Sequence, residues 1–116
     1  MIEVVYTSEF EAWWESFSEG QQDDVAVVVG LLEAKGVSLG FPHSSALKGS
    51  KMGLRELRVQ SAGRPLRTLY AFDPKRRAVL LLGGDKTGRK RFYQEEIPKA
   101  EAVFAKYLQE LREEPR

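Results

Sequence analysis

The spacing of apolar residues changes several times along the chain, and each change marks an element. Ile2 to Tyr6 is a short β-type run. Thr7 ends it, and Ser8 with Glu11 makes a capping box that opens a helix. Phe10, Trp13, Trp14 and Phe17 then fall at i, i+3, i+4 and i+7, a strongly aromatic helical face that reads as core packing. A second capping box, Ser18 with Gln21, opens the next helix. Its stripe is Val25, Val28, Val29 and Leu32, and Gly36 supplies the stop after Lys35. Two short helices in a hairpin follow from this.

From Val37 to Gly53 there is no sustained period, and the Gly, Ser and Pro content predicts a surface loop holding His43 and Lys48. Leu54 to Val59 reads as a strand, Ser61 to Pro65 as a turn, and Leu66 to Phe72 as a second strand. Asp73 and Pro74 begin another turn before Ala78 to Leu82. That last run, AVLLL, is apolar throughout and predicts a central strand covered on both faces, ended by Gly83 and Gly84. A final helix is expected from about Glu95 to Glu113, with Pro98 in its first turn and a stripe of Ile97, Ala100, Val103, Phe104, Tyr107, Leu108 and Leu111. The order β-α-α-β-β-β-α predicts an α+β domain, with helices packed on a small, mostly antiparallel sheet.

Composition narrows the chemistry. At 116 residues the chain fits one domain, residues 1–116, large enough to form a core without staples. With no cysteine and one histidine, disulfides and thiolate sites are excluded, and neither a protein-built metal centre nor a cofactor is expected. The N-terminus lacks a basic region followed by an apolar run, and no segment has the length of a membrane span. Cytoplasmic residence without membrane association is therefore expected.

Charge adds the main functional clue. Residues 48–91 hold thirteen Lys or Arg and only three acids, Glu56, Asp73 and Asp85, inside a chain whose net charge is +1. The flanking segments are correspondingly acidic. A cationic block interleaved with apolar and aromatic residues predicts a folded surface that meets phosphate. The segment GGDKTGRK invites a phosphate-loop reading, but it lacks the GK[ST] ending and no helix follows at once, so nucleotide binding is not expected.

The order of elements, LKGSKMGLRELRV before a turn and then RPLRTLYAFD, the strand AVLLLGGDK, and RFYQEEIPKAEAVFAKYL together resemble the RelE/HigB superfamily of small bacterial toxins. The chain looks most like its HigB-like, phage-derived branch. The resemblance spans nearly the whole chain and implies a ribosome-dependent endoribonuclease that cuts mRNA and is held inactive by a HigA-like helix-turn-helix antitoxin. Such chemistry needs no metal: a 2′-oxygen attacks the neighbouring phosphorus. It requires deprotonation of that hydroxyl, neutralisation of phosphorane charge and protonation of the 5′-oxygen. With a single histidine, the acid and base must come from Lys, Tyr, His43 or a ribosomal group.

By the same resemblance Arg67 matches an arginine at the scissile phosphate, where a planar fork suits bidentate binding. The competing reading is a cross-strand pair with Glu56. Arg58 is its neighbour, Lys86 matches a basic position acting as transition-state stabiliser or acid, and Tyr93 matches an aromatic that stacks on a base or aligns the nucleophile. These four are the expected catalytic set, with Arg67 and Lys86 at strand ends on the polar surface. Lys48, Lys51, Arg55, Arg64, Arg89, Lys90 and Arg91 are the expected RNA contacts, and His43 reads as a surface residue. Asp85 departs from the pattern, since it places an acid beside Lys86 that would pair with it or with Arg91.

Two other classes keep the fold. A ParE-like toxin would bind and inhibit DNA gyrase, and a degenerate relative would bind RNA without cutting it; ParE-type members typically lack the arginine, lysine and tyrosine set. A structural or regulatory phage protein gives no reason for the cationic block. Specific DNA binding is expected of the antitoxin, not of this chain. A helix-turn-helix reading frame beside the gene would favour the toxin reading over the phage-protein one.

Overall fold

A computed structural model describes residues 1–114. In chain order the elements are β1 (Val4–Tyr6), α1 (Ser8–Glu15), α2 (Glu19–Lys35), a 3-10 turn (Gly36–Ser38), β2 (Ser44–Ala46), β3 (Arg55–Ser61), β4 (Arg64–Phe72), β5 (Ala78–Asp85) and α3 (Phe92–Glu113). The five strands form one sheet in the order β1-β5-β4-β3-β2. β1 runs parallel to β5, and the other neighbours are antiparallel. This is the expected α+β fold, with β2 as an added strand inside the segment read as loop. Leu39, Ser44 and Leu47 are buried there despite its loop-like composition.

α1 and α2 cover one face of the sheet. Phe10, Val25, Val28 and Leu32 pack against Leu57, Val59, Leu66, Tyr70 and Leu80, with Trp13, Trp14 and Phe17 at the margin. α3 covers the other face, setting Phe92, Ile97, Ala100 and Phe104 on Leu54, Leu69, Val79, Leu81 and Leu82. β5 is buried from both sides, as its unbroken apolar run requires. No helix among the described residues is long and apolar enough to cross a membrane.

Local chemistry explains the helix ends. Ser18 accepts a hydrogen bond from the Gln21 amide within the predicted capping box. The α1 cap falls one residue earlier than expected: Thr7 Oγ1 accepts from the Phe10 amide and donates to the Leu81 carbonyl at 2.8 Å. Thr7 thereby ties α1 to β5 as it caps the helix, a double use that Ser8 does not have.

Three further differences from the sequence reading concern the β5–α3 region. Gly83 and Gly84 do not end β5; they pair with Thr68 and Arg67. A Cβ on Gly83 would run into the Trp13 ring, and one on Gly84 would lie 2.8 Å from the Phe92 ring, so glycine lets aromatic rings press on both faces of a continuing strand. α3 begins at Phe92, which puts Pro98 in the helix interior as its seventh residue. Its exposed ring faces water, and the carbonyl one turn earlier loses its helical donor.

The third difference decides the geometry of the site. Leu69 pairs with Leu82 but Tyr70 pairs with Leu80, so Leu81 is an extra residue on β5. Such a bulge reverses the face of every following side chain. Without it Leu82 and Gly84 would share the α1/α2 face of Leu80. With it they stand on the α3 face beside Leu69 and Arg67, and Lys86 follows them.

Candidate active site

Beyond the N-terminus of α3 its face of the sheet is left uncovered, and polar side chains fill the space. Arg58 and Arg67 are direct cross-strand partners on β3 and β4. Glu56 lies two residues before Arg58 and so faces the same way. Tyr93, in the first turn of α3, reaches down from above, and Lys86 enters from the loop after β5. Its backbone amide is held by the Pro65 carbonyl at 2.9 Å.

Glu56 is the hub. Its Oε1 accepts from Tyr93 Oη at 2.7 Å and lies 3.5 Å from Arg67 Nε. Its Oε2 accepts from Ser45 Oγ at 2.8 Å and from Arg58 at 3.4 Å. Lys86 Nζ lies 3.4 Å from Tyr93 Oη and 5.0 Å from the centre of its ring. Three of the four predicted catalytic residues therefore meet at a single carboxylate, and Lys86 joins them through Tyr93. The contact with Glu56 that was the competing explanation for Arg67 is present, and it belongs to the same cluster.

Arg67 is not on the polar surface at a strand end. It lies within β4 and is only 5% exposed, because Leu66 and Thr68 flank it in a central strand and Gly84 is its β5 partner. Its Nη1 donates to the Leu66 carbonyl at 3.0 Å. At 3.5 Å its Nε is close enough to Glu56 for ion pairing but makes no hydrogen bond. With Thr68 Oγ1 it is one of the buried side-chain polar atoms that lack a partner among the described residues. A buried, incompletely satisfied guanidinium is costly.

The titration behaviour fits acid–base work. Burial lowers the Lys86 pKa below its usual 10.5, and the charges of Arg67 and Arg58 lower it further against the pull of Glu56. Lys86 is therefore a better proton donor than a free lysine. Burial raises the Tyr93 pKa above 10, as does its hydrogen bond to Glu56, with Arg67 opposing, so Tyr93 stays a phenol.

The expected RNA contacts divide. Lys48, Lys51, Lys90 and Arg91 are exposed. Lys51 lies on a turn that Glu101 pins to α3 by accepting from the Lys51 amide at 2.6 Å. Arg91 donates to the Gln94 side chain at 2.9 Å. Arg89 is engaged by Glu95 and Glu96 at 2.8 and 2.7 Å and lies over the Phe92 ring, holding the start of α3. Arg55 points to the opposite face, where it donates to Tyr70 Oη at 3.3 Å, and so is not brought to the site. Arg64 pairs with Asp85 at 2.9 Å. That pair corrects the expectation for Asp85: its partner is Arg64 across the sheet, not Lys86 or Arg91, and Lys86 keeps its field.

Sequence reasoning gave Glu56 only a pairing role. The available signal was its position, an acid on the same strand face as Arg58 within RELR, the one carboxylate between Lys48 and Phe72.

A mixed five-stranded sheet with a helical hairpin on one face and a single helix over part of the other is a RelE-like architecture. The chain belongs to the family described as Phage derived protein Gp49-like (DUF891), which matches residues 12–105. It is similar to two proteins of Mycobacterium tuberculosis strain H37Rv. One is named "Putative toxin HigB3", 39% identical over 107 residues that cover 90% of this chain and 92% of that protein. The other is named "Putative toxin HigB2", 36% identical over 111 residues that cover 90% of this chain and 55% of that protein. The chain thus spans about half the length of the second relative. The resemblance to the HigB-like, phage-derived branch is borne out.

Proposed function

We propose that the protein is the toxin of a toxin-antitoxin pair and cuts mRNA on the ribosome by transesterification. The observation that carries this reading is one cluster in which Arg58, Arg67 and Tyr93 meet Glu56 and Lys86 joins through Tyr93. The relatives' toxin names support the class.

Each chemical requirement has a candidate group. Glu56 takes the 2′-hydroxyl proton, being the one carboxylate in the cluster and already a hydrogen-bond acceptor. Arg67 and Arg58, whose present partner is that carboxylate, hold the phosphate oxygens and neutralise the phosphorane. Lys86, with its lowered pKa, protonates the departing 5′-oxygen. Tyr93 orients Glu56 by donating to its Oε1 at 2.7 Å. Glu56 stays in place, held by Tyr93 and Ser45, and the phosphate is taken up by the cations beside it.

The exposed cations Lys48, Lys51, Lys90 and Arg91 extend the field toward mRNA or ribosomal RNA. A helix-turn-helix antitoxin encoded beside the toxin is the proposed inhibitor, and the cytoplasm is the proposed place of action. The test is induction in a bacterial host without antitoxin, with growth recorded and mRNA 5′ ends mapped, beside an Arg67→Ala/Lys86→Ala control. Arrest with new in-frame cuts that vanish in the control supports the proposal. Arrest with intact mRNA points instead to a bound target such as gyrase.

A further inference from the structure

A groove of about 500 Å³ opens beside the cluster at the edge of β3, and Arg58 and Arg67 are among the residues that line it. The size is within the range of roughly 300–1,000 Å³ typical of small-molecule clefts. β2 pairs with β3 only as far as Leu57, and the Arg58 amide then donates to the His43 carbonyl at 2.8 Å. Past that point no strand among the described residues covers the outer edge of β3. The groove walls there are Phe41 from the loop before β2 and Val27 from α2, which are 78% and 66% exposed. Asp24 lies among the lining residues and already accepts from Ser61 Oγ at 2.6 Å.

A single exposed apolar residue needs no explanation. Here two line one groove, and one of them is already stacked: the Arg58 guanidinium lies 5.4 Å from the centre of the Phe41 ring. The same Arg58 is bonded to Glu56 in the cluster. Arg58 therefore connects an exposed aromatic platform to the group of residues proposed to hold phosphate. A guanidinium is planar, cationic and of a size that a nucleobase can replace on the ring.

We propose that this groove is the subsite for an unpaired RNA base flanking the scissile phosphate, with Phe41 as its stacking platform. When Arg58 turns fully to the phosphate, the base takes the position that the guanidinium leaves. The charges set the direction: the arginines take the phosphate, and Asp24, also in the lining, repels it and leaves the base to Phe41. Phe41 is then a binding and specificity residue that touches substrate without taking part in proton transfer. The inference rests on the mRNA-cutting reading and adds to it the place where bases are discriminated.

The test uses the full chain with ribosomes programmed by mRNAs that differ only in the nucleotides at the cut. Phe41→Ala, Phe41→Leu and Phe41→Trp are compared with the wild type, each checked for an unchanged thermal unfolding curve. Stacking on an aromatic ring predicts that the Ala and Leu variants raise KM about tenfold or more with little change in kcat and flatten the preference among mRNAs. The Trp variant retains both. Phe41→Ala cutting with wild-type KM and preference overturns the proposal. So does Phe41→Leu behaving as wild type, since that signifies apolar contact with a protein instead of a stacked base. Failure of the wild type to cut any programmed mRNA sinks the nuclease reading and this inference together, an outcome distinct from active enzyme indifferent to Phe41.

Discussion

Two clusters at opposite ends of the β4–β5 pair are built from the same residue types and treated differently by the fold. At the β4–β5 turn Asp73 accepts from the Lys75 and Arg77 amides, each at 2.9 Å, from Arg77 Nε at 2.9 Å and from Tyr107 Oη at 2.7 Å. Arg77 also donates to Tyr107 Oη at 2.9 Å, which closes the network. At the other end Glu56, Arg67 and Tyr93 repeat the carboxylate, guanidinium and phenol. There the arginine contacts lengthen to 3.4 and 3.5 Å, two more cations crowd in, and one buried N–H has no acceptor. The first arrangement surrounds its carboxylate with short hydrogen bonds and fastens α3 to a turn. The second leaves donors and positive charge unspent, as expected of a site waiting for an anion.

The comparison can be broken most sharply at Lys86. Lys86→Met removes the amine but keeps an unbranched stem, and its expected effect is a loss of about a hundredfold or more in cutting rate with the fold retained. The pH profile sharpens this. A proton donor is competent below its pKa, so the wild-type rate falls as pH rises through a value below 10.5, and the variant lacks that limb. A variant that cuts at the wild-type rate removes Lys86 from the mechanism.

Next in size is Asp73→Asn. Leaving Arg77 and Tyr107 without their charged acceptor is expected to cost roughly 3 kcal/mol in urea unfolding, with activity per folded molecule unchanged. If that variant proves as stable as the wild type, the structural half of the comparison is wrong. Arg67→Lys keeps the charge but loses the planar fork, and a loss of about tenfold in cutting is expected. Because Arg67 is buried inside β4, Arg67→Ala must be read beside an unfolding curve before its inactivity is assigned to chemistry.

The smallest effects are in stability against pH. Burial alone would raise Asp73, but the Arg77 amide, the Tyr107 hydroxyl and the Arg77 side chain hold its pKa below 3.8. Its contribution is complete above the unfolded-state value and is lost as pH falls through the lowered one. Tyr107 behaves in the opposite sense. Burial and donation to Asp73 push it up to about 12 from 10.0, so its contribution is present below pH 10 and disappears between there and pH 12. Unfolding free energies of Tyr107→Phe should lack that alkaline decline.

Much of the fold could be read from the sequence because its periodicities are strong. The aromatic stripe of α1, the second capping box, the three meander strands and the α3 stripe all appear where spacing placed them. The errors share a cause. AVLLL is apolar at every position, so no alternation marks the bulge at Leu81, and the faces of Gly84 and Lys86 were unreadable. Gly83 and Gly84 looked like a stop because their packing role depends on Trp13 and Phe92, distant in sequence. The cluster members were recognised by residue type and resemblance, but their meeting point was not. Glu56 becomes a hub only once β3, β4 and the first turn of α3 are brought together.

The most direct test of the account is Glu56→Gln, assayed for mRNA cutting on programmed ribosomes and for unfolding in urea beside Asp73→Asn. The amide keeps the shape and loses the base. The account predicts at least about a hundredfold loss of cutting, with a stability cost less than half that of Asp73→Asn. Wild-type cutting by Glu56→Gln, or a stability loss equal to that of Asp73→Asn together with intact cutting, would contradict it and make the cluster around Glu56 a second structural fastener.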